Sequence, residues 1–190
     1  MNGSVGAGSV VEASITAVVV RADGHVDDQG VVSYWHRNLF RRAMWRVRHR
    51  LRWLLASGDL GATVVTNGGQ AIVTNRMIGA GTEPKYVGWG TGAGTAAVTD
   101  STLFTEKLVD LATSAGTDHT TGTSSRTTTT FTNDTYTVTA SRACTGAGTV
   151  TNAGLFDAAS GGTLYLKGDF TGIGLAFGDS IAFTFNAKFA

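Results

Sequence analysis

With 190 residues, 26 glycines and a single proline, the chain is long enough for one cored domain and too rich in turn residues for a mostly helical one. Fifteen Lys+Arg against fourteen Asp+Glu give a net charge of +1, which excludes a molecule that binds polyanions through overall charge. Cys144 is the sole cysteine, so an intramolecular disulfide is excluded and folding in a reducing compartment is the simpler expectation.

Residues 1–12 are rich in Gly and Ser and read as an extended arm. The short apolar run within residues 1–24 lacks the basic lead and apolar core of a signal peptide. Residues 14–32 read as a hairpin: Ile15–Arg21 is a β-branched run, Asp23-Gly24 is a turn dipeptide, and Val31-Val32 belong to the returning strand. Asp23, Asp27 and Asp28 lack the spacing of a calcium loop and are read as turn residues.

A helix is predicted over 33–58, with Ser33 as N-cap and Gly58 just past its end. Phe40, Ala43, Met44, Val47, Leu51, Leu54 and Leu55 recur at three- and four-residue steps and share one face. Arg37, Arg41, Arg42, Arg46, Arg48, Arg50 and Arg52 fill the remaining arc, with Trp45 and Trp53 also off the stripe and Trp35 near the start. These seven arginines are about half of the basic residues, and the segment holds no Asp or Glu, so the rest of the chain carries eight basic residues against fourteen acidic ones. Arginines three or four apart repel by a few tenths of a kcal/mol per pair, about 0.2–0.5, so an anionic neighbour is expected. The helix can pack on its own β body, dock on another protein, contact nucleic-acid phosphates or lie on a membrane surface. Arg interleaved with Trp suits protein docking. The residues predicted to carry it are Trp35, Arg37, Arg41, Arg42, Trp45, Arg46, Arg48, Arg50, Arg52 and Trp53.

Residues 59–78 read as a short strand pair, Val64-Val65 and Ala71–Val73, turned at Asn67-Gly68-Gly69. Tyr86–Trp89 reads as a strand, and Asp100 as the cap of a short helix holding Leu103, Phe104, Leu108 and Leu111. Residues 112–125 read as a loop. Arg126–Thr132 and Thr135–Cys144 read as a hairpin around Asn133-Asp134, with Tyr136, Val138, Ala140 and Cys144 on one face. Thr163–Lys167 and Ser180–Phe189 are further strands, and in the last Ile181, Phe183, Phe185, Ala187 and Phe189 alternate with mostly polar neighbours. No uncharged stretch approaches the ~20 residues that span a bilayer. The expected organisation is an arm and hairpin over 1–32, the basic amphipathic helix over 33–58 and a β body over 59–190. The class is mainly β, an antiparallel sandwich.

Few motifs point to chemistry. Gly92-Ala-Gly94-Thr-Ala-Ala97 matches a loose dinucleotide pattern, but no βαβ unit surrounds it. TGAGT occurs at 91–95 and at 145–149 with unlike flanks, which reads as recurrent turn chemistry and not as duplication. His25, His36, His49 and His119 lack metal-ligand spacing, and Cys144 reads as a small core residue. No catalytic residue, cofactor or metal is expected.

Two segments carry a resemblance. Residues 87–106 hold Gly88, Gly90, Thr91, Gly92, Ala96, Asp100, Leu103 and Glu106 in the pattern G-x-G-T-G-x-x-x-A-x-x-x-D-x-x-L-x-x-E. Residues 152–185 hold Asn152-Ala-Gly-Leu-Phe156, the turn Gly161-Gly162, and Gly178-Asp179-Ser180-Ile181. In this order they resemble a family of small structural proteins of tailed-bacteriophage virions, over about residues 87–189. Asn152 stands where that pattern has an acidic residue, and the basic helix has no place in it. The resemblance implies a non-enzymatic virion component with a jelly-roll-like β-sandwich body, assembled in the bacterial host cytoplasm. A capsid decoration or cement protein is the first expectation, with a tail, collar or baseplate component and a DNA-contacting internal protein as alternatives. Expected partners are the major capsid protein or other virion proteins and sister copies, as a homotrimer. Nucleic acid is a weaker candidate.

Overall fold

The structure, a computed structural model, describes residues 11–33, 63–112 and 116–189, with the backbone alone at 11–12 and 27–33. The predicted hairpin is present. Strand β1 (Val11–Val20) turns through Arg21–His25 into β2 (Val26–Ser33), with the Gly24 amide donating to Arg21 O at 2.9 Å. Ile15 lies opposite Val32 and Thr16 opposite Val31. Ser33, expected to cap a helix, instead ends β2 opposite Ser14. The remainder of that expected basic helix, 34–58, lies outside the described residues, as do the arm at 1–10 and every predicted interaction residue from Trp35 to Trp53.

Strand β3 (Thr63–Val65) leads into α1 (Asn67–Met77), where the sequence reads as a second strand. Asn67-Gly68-Gly69 is the first turn of this helix and not a hairpin tip. Thr66, in extended backbone, accepts the Gly69 amide at 3.0 Å, the N-cap arrangement that releases a helix from unfavourable local sequence. Packing supplies the rest. A Cβ at Gly69 would lie 2.2 Å from Tyr165 O, so only glycine lets the helix approach this closely. Ile72 is buried beneath it. This is the one helix among the described residues, and none of them forms a helix long and apolar enough to cross a membrane.

Strand β4 (Tyr86–Gly90) is where the sequence places it. The short helix expected after Asp100 is absent. The chain turns there and forms β5 (Glu106–Lys107). The backbone groups a helix would need are engaged elsewhere: the Phe104 amide donates to Asn152 Oδ1 at 3.0 Å and its carbonyl accepts the Gly92 amide at 2.9 Å. Within 112–125, read as loop, lie β6 (Thr120–Thr121) and the start of β7 (Thr123–Thr127). Both are threonine- and serine-rich and pair through the backbone without an apolar alternation to announce them. The remaining strands are β8 (Thr135–Ala143), β9 (Gly148–Phe156), β10 (Leu164–Leu175) and β11 (Ser180–Phe189).

Among the described residues every pairing between these strands is antiparallel, and the strands make two sheets. One runs β2-β1-β11-β8-β7, the other β3-β10-β9-β4-β5 with β6 also on β4. A single buried cluster draws on both: Ile15, Val19, Val138, Phe183 and Phe185 from the first, Val87, Trp89, Leu155, Leu166 and Ile173 from the second. Period-two alternation aims these residues inward. Cys144 lies in this cluster, in keeping with its reading as a core residue.

Candidate functional site

The two glycine-rich segments singled out in the sequence, 87–106 and 152–185, meet on the second sheet. Strand β4, from the first, pairs with β9, from the second, so that Gly90 faces Asn152. The loop Thr91–Thr105 then folds back over β9 and β10. The glycine run that mimics a dinucleotide motif makes this return possible: a Cβ at Gly94 would stand 2.4 Å from the Phe104 ring. The space that a phosphate would need is filled by the loop's own side chains.

Asn152 is the hub of the return. Its Nδ2 donates to Gly92 O at 3.0 Å and Phe104 O at 3.1 Å, while its Oδ1 accepts the Phe104 amide. Thr151 Oγ1 adds a bond to Gly92 O at 2.6 Å. A carboxylate at this position could accept but not donate, so the amide here suits the two carbonyls it meets. Asp169, opposite Asn152 on β10, accepts the Ala96 amide at 2.7 Å.

Asp100 and Lys167 make a second tie. The Lys167 ammonium lies 2.8 Å from Asp100 Oδ2, donates to Thr102 O at 2.9 Å, and sits 3.1 Å from the centre of the Phe104 ring. Burial pulls the Asp100 carboxyl upward, but Lys167 and the Ala97 amide outweigh it and hold the group below the ordinary carboxylate range.

Glu106 and His119 make a third. His119 Nε2 lies 2.7 Å from Glu106 Oε1 and Nδ1 lies 2.8 Å from Ala158 O, and the ring stacks on Phe156 at 3.9 Å. The carbonyl can only accept, so Nδ1 carries a hydrogen. Nearby, Arg142 crosses from the first sheet to the second. Its guanidinium donates to Val87 O at 3.1 Å and covers Trp89 at 4.8 Å. Burial pushes Arg142 down to about 10, opposed by Glu106 and Asp118, and it stays a cation at neutral pH.

The last motif, Gly178-Asp179-Ser180, ties the start of β11 to the turn that follows β1, its neighbour in the first sheet. Asp179 accepts the Ala176 amide at 2.9 Å, the Ala22 amide at 2.9 Å and Arg21 Nη1 at 2.9 Å. These donors hold its carboxyl below the ordinary range against the opposing effect of burial. Each motif carboxylate is thus bound to an internal donor, and the chemistry of the arrangement is cohesion between distant segments. Among the described residues, no group of three or more His, Cys, Asp or Glu is placed to hold a metal ion.

The arginines and tryptophans singled out in the sequence lie outside these residues. Of the groups that organise the described part, Asn152 was noted only as the replacement of an acidic residue and His119 only as lacking metal-ligand spacing, while Lys167 and Arg142 were not singled out. Two left a signal: Lys167 interrupts the apolar run Leu164-Tyr-Leu166, and Arg142 occupies an inward position between Ala140 and Cys144. No family model, curated protein or solved structure matches the chain.

Proposed function

We propose that the chain is a non-enzymatic structural protein of a tailed-phage virion, a decoration or cement protein of the capsid. The observation that carries this reading is the interlock. The two segments that resemble the virion family are 48 or more residues apart at their closest ties, yet Asn152, Lys167 and Asp169 bind the return loop at every turn. A body cross-tied in this way suits a load-bearing role. Its two sheets are read as a jelly-roll-like sandwich, because the chain changes sheet between β8 and β9 and again between β10 and β11.

On this reading the arm and the basic segment 33–58 supply the docking element. Its arginines grip carboxylates of the major capsid protein or of sister copies, assembled as a trimer. Many modest contacts then add across a closed shell. The test is the stoichiometry of the chain in purified particles. A number of copies comparable to that of the capsid subunit is expected. A small fixed number per particle gives the tail, collar or baseplate reading instead, and absence from particles overturns both. Replacing Arg41, Arg48 and Arg52 with Glu is expected to leave the β body folded and abolish incorporation. Normal incorporation, with tight salt-dependent DNA binding by the unaltered chain, would transfer the arginines to phosphate contact.

A further inference from the structure

Away from the interlock, β7 and the loop that follows it border an open polar groove of about 540 Å³, lined by Glu83, Ser124, Ser125, Arg126, Asn133 and Tyr136. Its volume falls within the ordinary range for small-molecule sites, about 300–1,000 Å³. Three features mark it as built. First, its wall is held rigid. Asp134 accepts the amides of Thr129 at 2.8 Å, Thr130 at 2.7 Å and Phe131 at 2.9 Å, and the Asn133 amide donates to Thr128 Oγ1 at 3.1 Å. Asn133 is thereby kept at φ +60°, a left-handed conformation that asparagine adopts more readily than other side-chain-bearing residues.

Second, the opposite charges lining the groove are kept apart. Glu83 has Lys85 at 3.5 Å as its cation, and Arg126 makes no ion pair with a described residue. The Ser124 hydroxyl bonds Glu83 and, against the upward pull of partial burial, joins Lys85 and Tyr136 in keeping it ionised. Third, Tyr136 is already satisfied at its tip: its hydroxyl lies 2.9 Å from Pro84 O and 3.3 Å from Glu83 Oε1.

The groove therefore presents an acceptor in Glu83, a donor in the exposed Arg126, and three groups that do both, in Asn133, Ser124 and Ser125. Its net charge is close to zero. A ligand that matches must offer donors and acceptors at the same atoms and carry no net charge, and an open trough suits a chain that extends past both ends. Hydroxyl groups on a sugar chain meet each of these conditions. We propose that this groove binds a neutral oligosaccharide, with Glu83, Arg126 and Asn133 gripping its hydroxyls beside Tyr136.

The test uses the full chain with neutral tetrasaccharides of glucose, galactose, mannose and N-acetylglucosamine, followed by saturation-transfer NMR and calorimetry. Glutamate, arginine and phosphate serve as charged probes. Binding of at least one saccharide is expected. Arg126→Ala and Asn133→Ala should each weaken it about tenfold, the loss of one or two hydrogen bonds. Asn133→Gly, which keeps the backbone conformation, should weaken it as much as Asn133→Ala, and the unfolding temperature should be unchanged by Arg126→Ala. No binding of any of the four sugars at millimolar concentration overturns the proposal. So does binding that survives both Arg126→Ala and Asn133→Gly, or uptake of the charged probes alone.

Discussion

The Lys167 ammonium lies 2.8 Å from the Asp100 carboxylate, yet only one of the two is withdrawn from water: the lysine side chain is 0% exposed and the aspartate 21%. The pair is therefore asymmetric. Asp100→Ala leaves a buried cation with only the Thr102 carbonyl and the Phe104 ring, and should cost about 3–5 kcal/mol. Lys167→Met leaves a carboxylate that can turn to solvent, and should cost about 1–2 kcal/mol. Denaturant unfolding of the two variants checks the order. The opposite order would mean that the ammonium is not held by Asp100.

Asn152→Asp changes one atom type and no volume. The new oxygen would face Gly92 O and Phe104 O, both acceptors, where an N–H₂ now donates to each. A loss of about 2–4 kcal/mol at neutral pH is expected. Hydrogen exchange should locate the loosening at the amides of Gly92 and Phe104, which close the return loop. Unchanged protection there would remove Asn152 from its place as the hub.

Acid should unfold the protein by a predictable route. The carboxyls of Asp134, Asp100 and Asp179 all lie below their ordinary value of 3.8 in the fold. For Asp134, burial acts upward, and the amides of Phe131, Thr129 and Thr130 with the Thr129 hydroxyl override it. A depressed carboxyl stabilises the fold fully above its unfolded value. That stability is lost as pH falls through the folded value, because the unfolded chain takes up protons the folded one refuses. The unfolding temperature should be flat near neutrality and fall below about pH 5. Asp134→Asn should flatten part of that fall. An acid limb identical to that of the unaltered chain would exclude Asp134 as a source.

Phe185 faces Ile15 on one side and Val138 on the other, and all three are buried. Phe185→Ala should cost about 3–5 kcal/mol through the cavity it leaves, which is a large share of the ordinary stability of a domain of about 5–15 kcal/mol. Phe185→Asp should fail to fold. A soluble, cooperatively unfolding Phe185→Asp variant of undiminished stability would contradict the packing of β11.

Strand β11 was legible for the same reason that Phe185 is critical. One of its faces is buried and the other wetted, and that contrast is written every second residue. The β1–β2 hairpin and β8 were legible on the same grounds. Strand β9 was not, because Asn152 through Phe156 are all buried and both faces of the strand are covered, so no alternation appears. Helix α1 was illegible for another reason. Only Gly69 and Ile72 are buried in it, and the contacts that make it a helix come from Thr66 and from the backbone of β10, a hundred residues away. The interlock shares that difficulty. Its partners are 48 to 73 residues apart, and no local spacing encodes Asn152 to Phe104 or Asp169 to Ala96.

The position of β11 between β1 and β8 also fixes when the first sheet can close. Ile15 meets Phe185 only after 170 further residues have left the ribosome. Until then the β1–β2 hairpin and the β7–β8 hairpin are separate pieces, each offering an unpaired edge where β11 belongs. Contacts of such long sequence separation make folding slow compared with chains of local contacts. A nascent chain of this kind therefore spends its synthesis with an open slot shaped for one strand, and a neighbouring copy on the same message carries the same strand. Domain exchange through β11 is the characteristic error this topology invites.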